Sequence, residues 1–280
     1  MKTNFVAFLN KHGMACASDT DMTLYALSKK EPVAVAVNPY SPIPWDNIIN
    51  AYLRQSDVAP HDDFSDYARD FAEFLKTVKS QKKWAKLTDE EANIIFLGFG
   101  QDDLFPSYID ANVRHDTASN ALECELRSNC HIDHEFCAAY CKLGSFELMQ
   151  PVLNGISQDA RKSMIDKHTE DMNKYKTRVY AAMKKHDCKT SLDDVEFDEM
   201  GAFMNELADM SGCHQRQLSM AIESFNIEDM VKVAETFVDA NDQLEHLKAG
   251  GFGLPNSTKE LAVITRTEGL TWIKHGIFGL

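Results

Sequence analysis

The sequence predicts a layered α+β fold, and three observations carry that expectation. Strand-like stretches fill the first forty residues and return between 93 and 143. A helix near 63 to 78 has a wide aromatic face of the kind that lies on a sheet. After about a hundred residues of helical pattern, the chain closes on a hairpin.

The first element is the stretch "TNFVAFLNKHGMACASDTDMT", residues 3 to 23. Two apolar bursts, Phe5 to Leu9 and Met14 to Ala17, flank "NKHG" and predict a hairpin. "TLYALS" and "EPVAVAVNPY" follow as strands. The unbroken apolar run from Val33 to Val37 suits a strand covered on both faces. "SPIPWDNIINAYLRQ" starts a helix with Pro44 in its first turn and Trp45, Ile48, Ile49, Tyr52 and Leu53 at helical spacing. In the next helix Phe64, Tyr67, Ala68, Phe71, Phe74, Leu75 and Val78 keep the i, i+3, i+4, i+7 pattern. Strands are expected at 93 to 100 and 107 to 115, with "ALECEL" and "FCAAYCKL" as two more.

From Ser145 the pattern turns helical. "SFELMQPVLNGI" predicts a short helix bent at Pro151. Residues 158 to 186 predict one long charged helix with a narrow stripe of Ile165, Met172, Tyr175, Val179 and Met183. So thin a stripe calls for a partner, another helix or another subunit. Further helices are expected near 193 to 210, 214 to 224 and 227 to 247, the last opening on Asn226 with Asp229 three residues on. "ELAVITRTEGLTWIKH" reads as a hairpin turned at "TEG". The organisation expected is a single domain over 1–280 with a helical elaboration at 157–250.

Charge narrows the function classes. With 29 basic and 43 acidic residues the chain carries −14, which repels phosphate and argues against a nucleic-acid partner. The densest basic stretch, "KSQKKWAK" at 79 to 86, reads as a solvated helix end. No segment nears the roughly 18 consecutive apolar residues that span a membrane. Seven cysteines cannot all pair within the chain. With no secretory signal pattern at the start, they read as reduced thiols of a cytoplasmic protein.

The densest ligand-type cluster is "CHIDHEFCAAYC", with Cys130, His131, Asp133, His134, Cys137 and Cys141. Its spacing matches no common zinc motif. On a strand, Cys137 and Cys141 would share a face as small buried hydrophobes. "GGFGLP" at 250 to 255 lacks the Lys-Ser/Thr ending and the strand-to-helix setting of a phosphate loop, and "GFG" at 98 to 100 is too short for a dinucleotide fingerprint. No cofactor is expected. "SDTD" could offer two carboxylates to a hard cation or be an ordinary polar strand end. A Ser-His-Asp set cannot be read from spacing.

The opening hairpin resembles that of proteasome β-subunits and the bacterial HslV peptidase, and is particularly similar to a set of bacterial proteasome-like proteins. "GMACASDTDMT" aligns without a gap on the family's "GVVLAADSRAT". At that spacing Thr3 falls on the family's threonine nucleophile and Asp19 on the aspartate that helps activate it. "YALSKKEPVAVAV", "IIFLGFGQDDLFPSYID" and "LAVITRTEGLTWI" continue the resemblance, which covers about half the chain. It implies the four-layer αββα sandwich of N-terminal-nucleophile (Ntn) hydrolases, here with a helical insertion. It also implies amide hydrolysis by a threonine hydroxyl, with the free α-amino group as base.

The sequence departs from that pattern in two places. Met1 and Lys2 precede Thr3, and an amide nitrogen cannot serve as base. Thr23 or Met22 stands where the family carries the lysine that lowers the threonine pKa, and Lys29 and Lys30 lie further on. The expectation is therefore a non-catalytic proteasome-like protein that self-assembles as a homo-oligomer or binds a protein partner. The alternative is a threonine-type amide hydrolase or peptidase whose Thr3 is exposed by processing.

Overall fold

A computed structural model describes residues 3–21, 23–28, 31–55, 61–79, 92–116, 118–144, 146, 149–156, 158–185, 199–250 and 258–275. Met1, Lys2, Met22, Lys29, Lys30, most of the basic stretch 79 to 86, residues 193 to 198 and most of "GGFGLP" lie outside these. The chain divides into two compact units, Met1–Phe146 with Ser219–Leu280, and Glu147–Leu218.

The first unit holds two antiparallel sheets. The opening hairpin forms as β1 (Phe5–Asn10) and β2 (Gly13–Ser18), in a register that pairs Phe5 with Ser18 and Asn10 with Gly13. β8 (Ala138–Leu143) pairs on the other side of β1. The closing hairpin, β9 (Glu260–Thr265) and β10 (Gly269–Lys274), adds to β2 and gives the order β10-β9-β2-β1-β8. The second sheet runs β3-β4-β5-β6-β7, from β3 (Leu24–Ala26), β4 (Val33–Ala36), β5 (Asn93–Gly98), β6 (Ser107–Asp116) and β7 (Ala121–His131).

Alternation along the strands explains the packing. Phe5, Ala7 and Leu9 of one sheet share a buried cluster with Ala34, Ala36, Ile95 and Leu97 of the other. Val33, Val35 and Val37 point the opposite way, into a second cluster with α1 (Trp45–Gln55) and α2 (Phe64–Thr77). The apolar run 33 to 37 is thus covered on both faces, alanines toward the other sheet and valines toward the helices. On the far side of the first sheet, Phe8 meets Phe237 of a helix at Ile227–Lys248, ring centroids 5.9 Å apart and nearly perpendicular. Asn226 caps that helix, its Oδ1 accepting from Asp229 N at 2.9 Å.

The other helices are α3 (Gln150–Asn154), α4 (Gln158–Lys185) and α5 (Glu199–Ser224), which makes Ile227–Lys248 α6. Two expectations are corrected. Pro151 does not bend a helix; it sits in the first turn of five-residue α3, where its missing N–H costs no hydrogen bond. The segments 193 to 210 and 214 to 224 are not two helices, because α5 runs unbroken through Ser211-Gly212. A helix interior tolerates one glycine at a cost of about 1 kcal/mol, so "SG" is no break.

In the second unit the His168 ring stacks on Phe203 at 4.2 Å, joining α4 to α5. His214 Nε2 lies 2.7 Å from the Val152 carbonyl oxygen. Along α4 the stripe residues Ile165, Met172, Val179 and Met183 are only half-buried, and Tyr175 is 54% exposed. No described helix is long and apolar enough to cross a membrane.

Candidate functional site

The hairpin register that pairs Phe5 with Ser18 carries one residue further. Asp19 N donates to the Asn4 carbonyl oxygen at 3.1 Å. The Asp19 carboxylate then takes two bonds from the same residue, Asn4 N to Oδ1 and Asn4 Nδ2 to Oδ2, each 2.8 Å. Thr3 and Asp19 are therefore neighbours across the strand end, but Asp19 is engaged by Asn4. Burial pushes the Asp19 carboxyl up to about 6. The Asn4 bonds oppose that rise, and the negative charges of Asp242 and Glu245 on α6 add to it.

Thr3 is 1% exposed. Its Oγ1 donates to Asn38 Oδ1 at 3.3 Å and accepts from Thr20 Oγ1 at 3.2 Å. Thr20 and Thr23 oxygens lie 2.7 Å apart, and Ser18 Oγ donates to Thr23 at 3.0 Å. The result is a buried chain of four hydroxyls. Among the described residues no lysine or arginine bonds to any of them, and no basic nitrogen receives the Thr3 proton. An amide oxygen such as Asn38 Oδ1 is too weak a base to take it. The surrounding charge is negative as well: burial first, then Asp19 and Asp21, raise the Tyr40 phenol above its ordinary value. A nucleophilic hydroxyl needs the reverse.

Thr23, one of the two positions (with Met22, outside the described residues) that align with the lysine of the resembled family, is fully buried and plays a backbone role. Its N–H and that of Leu24 both donate to Glu260 Oε2 at 3.1 Å. Glu260 is 2% exposed and ties the start of β9 to the start of β3, with His275 Nδ1 3.6 Å from its other oxygen. Asn4, Thr20, Asn38 and Glu260 were not singled out from sequence. Thr20 stands inside "SDTD" and Asn38 ends the apolar run, but nothing in their spacing indicates that they converge.

The cysteine-histidine cluster disperses. Cys130 and His131 alternate at the end of β7, so they face opposite sides of the sheet. Cys130 faces Cys141 and Tyr108 between the sheets, whereas His131 Nδ1 lies 2.6 Å from Ser107 Oγ. His134 packs its ring edge-on against Phe105, and the Cys137 thiol donates to the His134 carbonyl oxygen at 3.4 Å. Cys137 precedes β8 and is half-buried, whereas Cys141 within β8 is buried. Among the described residues no group of three or more His, Cys, Asp or Glu side chains is placed to hold a metal ion.

No family model matches the chain, and no curated protein matches it.

Proposed function

We propose that this chain is a proteasome-like member of the Ntn-hydrolase fold that performs no threonine chemistry and acts through self-assembly or partner binding. One observation carries the reading. The Thr3 hydroxyl is buried and spends its proton on Asn38, while Asp19 is held by Asn4. The packing of two antiparallel sheets, with α1 and α2 on one outer face and α6 on the other, supports the four-layer αββα arrangement that the opening hairpin resembles. The exposed apolar side chains of the helical unit, Tyr175, Tyr180 and Met210, support a binding role.

The test pairs two measurements on the full chain. Incubation with a threonine-reactive β-lactone followed by intact-mass spectrometry should leave the mass unchanged, and a panel of fluorogenic peptides should go uncut. An adduct mapped to Thr3, with peptide cleavage lost in Thr3→Ala, would establish the hydrolase instead. Light scattering during gel filtration reads the assembly. A monomer at every concentration that also captures no protein partner would overturn the binding role.

A further inference from the structure

A cavity of about 280 Å³ opens between the sheets at the strand end that carries Thr3. Gly144 lines it, and a Cβ on Gly144 would lie 1.7 Å from the Thr3 carbonyl oxygen. At about 30 Å³ per water the space holds roughly nine waters, just under the roughly 300 Å³ floor of drug-sized sites. A space of that size suits a small molecule rather than a polymer segment.

Two opposite charges line the same wall, Asp110 and Arg127. Strict alternation would turn Arg127 away from Ser128, but β7 bulges here. Asp110 pairs with Ser128 and Ala111 with Leu126, which leaves Arg127 as the extra residue. Arg127 and Ser128 therefore both reach the cavity. The two charges act on each other at a distance but form no direct ion pair. Ser128 Oγ donates to Asp110 Oδ2 at 2.8 Å, and Arg127 Nη1 donates to Asn93 Oδ1 at 3.4 Å. Among the described residues neither meets an opposite charge within ion-pair distance. Lys142 also lines the wall, but its ammonium lies 5.8 Å over the Phe146 ring. Burial raises the Asp110 carboxyl, with the Ser128 bond and the Arg127 charge opposing that rise, and a cationic ligand group there would further stabilise its ionised form.

We propose that this cavity binds a small zwitterion of amino-acid or dipeptide size, its ammonium on the Asp110 carboxylate and its carboxylate on the Arg127 guanidinium. The proposal stands apart from the reading of Thr3.

Saturation-transfer NMR on the full chain, with each protein amino acid and L-alanyl-L-alanine as probes, provides the test. At least one probe should show transfer, and calorimetry on it should show affinity falling about tenfold or more when its amine is acetylated or its carboxylate esterified. Asp110→Asn should remove the penalty for acetylation, and Arg127→Gln the penalty for esterification. No transfer from any probe at roughly 10 mM, well above a Kd of ~1 mM, would overturn the proposal. Equal binding of capped and uncapped forms would do the same. The capping comparison needs only the unaltered chain, so a variant that failed to fold would not shield the proposal.

Discussion

Asn10 ends β1 with its side chain fully buried, and it links that strand to the end of α5. Nδ2 donates to the carbonyl oxygens of Ile222 and Phe225, both at 2.8 Å, and Oδ1 accepts from His12 N at 2.8 Å. The last carbonyls of a helix have no partner inside it, so Asn10 supplies a side-chain cap from the sheet. Asn10→Ala removes three hydrogen bonds. At about 1 kcal/mol each, with a further penalty for a carbonyl stranded out of water, the loss is roughly 4 kcal/mol. Phe225 carries most of that penalty, because the Ile222 oxygen keeps a bond from Phe225 N at 3.1 Å. Asn10→Asp is the sharper probe. It keeps the His12 acceptor but turns a buried carboxylate toward two carbonyls, at a cost of roughly 5 kcal/mol. The assay is urea unfolding followed by tryptophan fluorescence, since Trp45 and Trp272 both lie in the first unit. At pH 8 the aspartate variant should be less stable than the alanine variant. Its deficit against the unaltered chain should shrink as the pH falls, because a protonated carboxyl regains a donor. If aspartate is tolerated at pH 8 as well as or better than alanine, the donor role of Asn10 is refuted.

Asp19, raised to about 6 in the fold, gives a pH signature. A carboxyl whose folded pKa lies about two units above its unfolded value costs stability as the pH rises through that interval, roughly 3 kcal/mol in all. The unfolding free energy of Asp19→Asn relative to the unaltered chain should therefore shift in the variant's favour between pH 4 and pH 7; a constant difference would contradict the burial argument. Gly144→Ala should be severely destabilising, by several kcal/mol, because Gly144 has φ +93° and its new Cβ would meet the Thr3 carbonyl. Its melting temperature against the unaltered chain decides the point. Gly212→Ala should do the opposite. Nothing lies within 4 Å of a Cβ there, in mid-α5, so helix propensity alone should add up to about 1 kcal/mol, read as a higher melting temperature of the helical unit.

The parts legible in sequence are those that short-range periodicity controls. Phe64, Tyr67, Phe71 and Leu75 could bury one face only as a helix, and they do. The run from Val33 to Val37 announced a strand covered on both sides, and Asn226 announced a helix start. The failures share a cause. The gap expected between residues 210 and 214 rests on local pattern alone, whereas the residues there stay helical. "CHIDHEFCAAYC" looks like one ligand set in a line, but the end of a strand turns Cys130 and His131 to opposite faces.

Thr3 and Asp19 mark the line between the two kinds of knowledge. Sequence by itself placed them across one hairpin, because a strand pair with a short turn has a single sensible register. What each of them bonds to was decided only in three dimensions. Asn4 precedes β1, Thr20 follows β2, Asn38 follows β4 of the other sheet and Glu260 starts the last hairpin, so their convergence depends on how the sheets pack. The same holds for Asp110 and Arg127, brought to one cavity wall by a one-residue bulge. Hydrogen bonds and desolvation act over a few ångströms, so the chemistry of a side chain follows neighbours that may be two hundred residues away in the chain.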